Sequence, residues 1–124
     1  MTTLPSMKTI YPAAATVNVD IEITNIKTTK LDGVWTGHAI LPEEDCLSKI
    51  VIYAVIKEDE SIDYRAISAY CPHQHYDISK EPLKEDGNIY CSLHRRPICI
   101  YSEYNMAYPV TKNGNDFILK ANAL

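Results

Sequence analysis

Two short stretches constrain this chain more than anything else in it. The first reads Cys71-Pro72-His73-Gln74-His75-Tyr76 and the second Cys91-Ser92-Leu93-His94, with seventeen residues between His73 and Cys91. As a pattern this is C-x-H, an insert, then C-x-x-H. Each stretch offers one thiolate and one imidazole, and four soft or borderline donors in two pairs are what a buried metal centre needs. A zinc finger ordinarily pairs Cys with Cys and His with His. Here each pair is mixed, so both Cys reach one metal ion and both His a second only if the two loops face each other. A structural zinc site built from the same four residues is the alternative.

The rest of the chain reads as the support for those loops. A length of 124 residues is that of one domain. The alternation Val17, Val19, Ile21, Ile23 against Asn18, Asp20, Glu22 has the period of a half-buried strand. Asp32-Gly33 marks a hairpin turn, and residues 34–40 return as a second strand. After the polar loop 41–45, residues 49–57 are apolar almost throughout and rich in β-branched side chains, which predicts a central strand. Glu58-Asp59-Glu60-Ser61 turns the chain, and residues 62–70 form the strand that delivers Cys71. Short strands are expected at 89–90 and 98–101, and residues 107–111 and 116–121 pair across Lys112-Asn113-Gly114-Asn115. The pattern predicts an all-β fold of stacked antiparallel sheets with eight or nine strands. Residues 1–16, with Pro5 and Pro12, read as an irregular N-terminal arm, leaving 17–124 as the single domain.

Charge and targeting signals narrow the partners. With 12 basic against 16 acidic residues the net charge is −4, which argues against nucleic acid as a partner. The first residues lack an apolar run of signal-peptide length and no stretch approaches a membrane span, so the expectation is a soluble cytoplasmic protein without a membrane partner. Four cysteines, two of them in the motif, do not make a disulfide framework.

The two loops resemble those of the Rieske 2Fe–2S family. Cys71-Pro72-His73-Gln74 is similar to the family's first loop, Cys91-Ser92-Leu93-His94 to its second, and Ile67-Ser68-Ala69-Tyr70 to the strand feeding the first. Tyr108-Pro109-Val110 and Phe117-Ile118-Leu119 are similar to its closing strands, so the resemblance covers about residues 49–121. It implies a base of stacked sheets with a small cluster-binding subdomain. It also implies Cys71 and Cys91 on one iron, and His73 and His94 on the other, of a 2Fe–2S cluster. Two ferric ions, two sulfides and two thiolates sum to zero charge, against −2 with four thiolates, so such a centre accepts an electron more readily.

The resemblance also has internal structure. High-potential members carry an additional Cys in each loop, and here those positions hold Tyr76 and Leu93. Their Ser and Tyr donors to the cluster sulfurs fall at Arg96 and Ile98. The chain therefore resembles the low-potential branch of soluble ferredoxins and oxygenases. His75 and Arg95 stand where the family usually has Gly, so both loops are expected to follow another path, and the short segment between Tyr101 and Tyr108 lacks the Gly of the family's covering loop, so less shielding of the cluster is expected.

The resemblance implies a soluble one-electron carrier, a Rieske-type ferredoxin, passing electrons from a reductase to an oxygenase or similar acceptor and turning over no substrate itself. The alternatives are a small subunit of a larger oxidoreductase and a zinc-stapled binding module. His75 reads as a loop residue, His38 as a surface or satisfied histidine, and Cys99 as a small buried hydrophobe. Cys46, next to Glu43, Glu44 and Asp45, is disfavoured as a reactive thiolate. Arg95 and Arg96, adjoining a ligand, form a basic rim suited to docking.

Overall fold

The computed structural model describes residues 19–30, 33–40, 47–57, 59–69, 78, 88–90, 97–101, 107–114 and 116–120. Within them the chain forms eight strands: β1 (Ile21–Thr28), β2 (Val34–Ala39), β3 (Ser48–Ile56), β4 (Ile62–Ser68), β5 (Asn88–Tyr90), β6 (Pro97–Cys99), β7 (Tyr108–Asn113) and β8 (Asp116–Leu119). Six of them, in the order β1-β2-β3-β4-β7-β8, make an antiparallel barrel that closes through β1 and β8, where Ile21 pairs with Leu119 and Ile23 with Phe117. β5 and β6 form a separate two-stranded sheet. The fold is all-β and antiparallel, with a small sheet set apart from a larger one that closes on itself. Among the described residues no helix is long and apolar enough to cross a membrane.

Closure leaves no free edge on the large sheet, which removes the row of unpaired backbone groups that an open sheet must protect. Ile23, Ala39, Ile50, Ile52, Ala66, Val110, Phe117 and Leu119 form its core. Phe117 lies 5.2 Å from Trp35 and 5.6 Å from Tyr64, ring centre to ring centre, so aromatic contacts join β2, β4 and β8 across the core.

The first strand departs from its expected limits. It runs from Ile21 to Thr28 rather than from residue 17, and Val19 is 67% exposed ahead of it. Period-two alternation does not say where pairing starts. Its continuation is reset by a bulge: Thr24 faces His38 and Lys27 faces Thr36, three steps on β1 against two on β2. Asn25 sits inside that bulge at φ 54°, a conformation Asn tolerates better than most residues. The additional residue lets Ile26, three positions after Ile23, pack on the same core. Both side chains lie over Gly37 of β2, where a built Cβ would stand 2.6 Å from Ile23 Cγ2 and 3.0 Å from Ile26 Cδ1.

The turns follow their chemistry. Gly33 takes φ 74° before β2, and Gly114 takes φ 65° between the paired Asn113 and Asp116. Residues 1–16, expected as an irregular arm, lie outside the described residues.

The packing at Gly37 can be tested by adding a methyl group to it. Gly37→Ala, which sets that group against two isoleucines and a backbone oxygen, should destabilise the protein by about 1–3 kcal/mol. Urea denaturation followed by far-ultraviolet circular dichroism measures this, and an unchanged midpoint would refute the close approach of β1 to β2.

Candidate metal centre

β4 and β7 are hydrogen-bonded neighbours, Tyr64 opposite Val110 and Ala66 opposite Tyr108. In the sequence they are separated by both motif stretches. Both motif stretches therefore lie in a single excursion that leaves the barrel after β4 and returns to the adjacent strand.

Two stems are visible within that excursion. The first begins at Ala69, whose N–H donates to the Lys49 carbonyl of β3 at 3.0 Å. The chain comes back at Ile78, whose N–H donates to the Ala69 carbonyl at 2.7 Å. The ends of the 70–77 segment are thus tied to each other and to the barrel. The second stem is the β5–β6 pair, with Asn88 opposite Cys99, Ile89 opposite Ile98 and Tyr90 opposite Pro97. Residues 91–96 connect its two strands, so their ends are also held together. Both stems share one apolar core, because Ala69, Ile78, Ile89, Ile100, Tyr101 and Ala107 pack with Val34, Val51, Tyr53, Val55 and Ile67. Ile78, Ile89 and Ile100 are wholly buried, each contributing about 1.5–3 kcal/mol.

A polar group is embedded in the same contact. Arg65 of β4 is 4% exposed. Its Nε donates to Asp63 Oδ2 at 2.8 Å, its Nη1 donates to the Ile100 carbonyl at 3.0 Å, and its guanidinium lies 4.5 Å from the centre of the Tyr101 ring. The Tyr101 hydroxyl lies 3.0 Å from both the Tyr53 and the Asp63 carbonyl oxygens and donates its one proton to that pair. Burial, and after it the Asp63 charge, push the Tyr101 phenol far above its ordinary range, while Arg65 works in the opposite direction. Tyr101 is therefore a neutral donor across the physiological range.

The four residues expected as ligands, Cys71, His73, Cys91 and His94, lie outside the described residues, as do His75, Arg95, Arg96 and Cys46. His38 lies on β2, half-buried, with Nδ1 3.5 Å from Asn25 Nδ2, in line with a surface or satisfied histidine. Arg65, Asp63 and Tyr101 belong to no motif in the sequence. The available signal is alternation: Asp63, Arg65 and Ile67 share one strand face, and a charge between two other residues of a half-buried face needs a partner.

The Tyr101 environment sets a pH dependence. The folded protein holds the phenol proton above the pH near 10 at which the unfolded chain releases it. A raised value contributes stability that is complete below the unfolded value and is lost as pH rises towards the folded one. Above pH 10 the wild type should lose stability relative to Tyr101→Phe by up to about 1.4 kcal/mol per pH unit. Chemical denaturation of both proteins between pH 8 and 11 checks this, and parallel curves would contradict the buried hydroxyl.

Comparison with known proteins places the chain. A family model described as Rieske [2Fe-2S] domain matches residues 20–106. The span runs from just before β1 through both motif stretches to just before β7. It starts earlier and ends earlier than the resemblance over about residues 49–121 read from the loops and the strands around them. No curated protein and no solved structure gives a significant match. The match covers more than two thirds of the 124 residues, and the chain belongs to the Rieske [2Fe–2S] domain family, iron–sulfur electron-transfer proteins whose cofactor is a 2Fe–2S cluster.

Proposed function

We propose that the protein is a soluble one-electron carrier of the Rieske ferredoxin type, with Cys71 and Cys91 holding one iron and His73 and His94 the other. The observation that carries this reading is the pair of stems. Each motif stretch is bracketed by residues tied to one another, Ala69 with Ile78 and Tyr90 with Pro97, and both brackets rest on one core. Two thiolates and two imidazoles, delivered by two separately anchored segments, fit a cluster with mixed ligation. When bound, the cluster takes up and returns a single electron.

The chain's own residues supply the rest. The stems fix where each ligand pair emerges. Pro72, Leu93 and Pro97 lend the ligand-bearing stretches apolar character, and Arg95 with Arg96 follow His94 directly in a chain whose net charge is −4. That distribution suits docking of the basic pair against an acidic patch on a reductase or on a terminal oxygenase or similar acceptor. On this reading 17–124 form one Rieske domain behind a 1–16 arm; the domain carries electrons and the acceptor performs the chemistry.

Purified protein should contain two irons and two acid-labile sulfides per chain and be red-brown. Cys71→Ser and His94→Ala should abolish the visible spectrum, whereas Cys46→Ser, Cys99→Ser and His75→Ala should retain it. Zinc in place of iron after anaerobic purification would overturn the assignment, and bleaching by His75→Ala but not His73→Ala would move one ligand.

A further inference from the structure

Among the described residues no strand pairing joins the β5–β6 sheet to the barrel. Side chains pack it on the barrel, Ile89 and the following Ile100 and Tyr101 against Val51, Tyr53, Val55 and Ile67. Most of those side chains are apolar, and apolar contact has no directional preference. It can press the hairpin against the β2-β3-β4 face without fixing its angle or its position along that face.

Directional contacts from the barrel meet the chain just after β6. Arg65 reaches from β4 to the carbonyl of Ile100, immediately after β6, and is itself oriented by Asp63. Tyr101 reaches back the other way, its hydroxyl on the carbonyls of Tyr53 in β3 and Asp63 in β4, and its ring under the guanidinium. Tyr53 and Arg65 are themselves direct partners in the β3–β4 register. The result is a two-way latch: one bond runs from the barrel to the excursion and the other from the excursion to the barrel. It engages the chain one and two residues after Cys99, at the exit of the stem that brackets the Cys91–His94 stretch.

We propose that the Arg65–Tyr101 latch orients the β5–β6 stem on the barrel, and that its strength sets how often this stem opens and how fast the cluster is lost. Arg65 and Tyr101 are positioning residues, acting through the Pro97–Cys99 strand and not on the cluster. The inference rests on the reading that Cys91 and His94 are ligands. Its first consequence, local opening of the excursion, concerns the polypeptide alone.

The test compares wild type with Tyr101→Phe and Arg65→Lys. Tyr101→Phe keeps the ring under Arg65 and removes the hydroxyl. Arg65→Lys keeps the charge and removes the planar fork that serves Asp63 and Ile100 together. Amide hydrogen exchange by mass spectrometry reads opening element by element. In both variants peptides covering β5, β6 and Ile78 should exchange about tenfold faster, while those covering β3 should keep the wild-type rate. Loss of the visible spectrum in excess chelator should accelerate by about the same factor, since both follow one opening. Uniform acceleration across barrel and hairpin would reduce Arg65 and Tyr101 to general stabilisers, and unchanged hairpin exchange would remove the latch. Faster hairpin exchange with an unchanged rate of cluster loss would end the link between opening and release, whatever metal assay had shown for the ligands.

Discussion

Everything else in this fold depends on β3 having no solvent face. Ile50 and Ile52 belong to the barrel core, while Val51, Tyr53 and Val55 belong to the core beneath the excursion between β4 and β7. One strand is thus the wall between two apolar interiors. That explains why its sequence is an almost unbroken apolar run where a strand with one wet face would alternate. The consequence for function is mechanical. The excursion rests on a strand held by hydrogen bonds from β2 on one side and β4 on the other.

Apolar and polar contacts divide the work between the two interiors. Burying Ile78, Ile89 and Ile100 contributes about 1.5–3 kcal/mol each. A single hydrogen bond from Arg65 or Tyr101 contributes a net of about 0.5–1.5 kcal/mol. Attachment of the excursion therefore comes mainly from the isoleucines. The polar group contributes geometry, since a guanidinium with two acceptors and a ring in fixed directions is satisfied in one placement only. The ion pair is also asymmetric, with side-chain exposures of 5% for Arg65 and 25% for Asp63, so the cation is the member whose burial depends on its partners.

Much of this is legible in the sequence for a physical reason. A mixed Cys/His pattern with fixed spacing carries its chemistry in residue identity and needs no three-dimensional information, so the family can be read from Cys71 to His94. The continuous run of β3 is equally plain, because double burial removes alternation. Other features depend on distant parts of the chain. Closure of the barrel requires Ile21 to pair with Leu119, and no local pattern near either residue announces it. The start of β1 escapes a local reading because Val17 and Val19 continue the alternation of Ile21 and Ile23, although the partner strand β8 ends at Leu119. The bulge at Asn25 and the demand for glycine at position 37 arise together from the meeting of two strands. The role of Arg65 depends on the segment at Ile100 lying over it, which only the folded chain reveals.

On the reading proposed above, two anchored stems bring one thiolate and one imidazole each to a single two-iron centre. Pulsed electron paramagnetic resonance of the reduced protein, grown with 15N-labelled histidine, tests it most directly. Hyperfine couplings from two directly bound histidine nitrogens on one iron of a reduced 2Fe–2S centre are expected. A reduced cluster without strongly coupled histidine nitrogen would mean four thiolates and contradict the mixed ligation, however well the stems are placed.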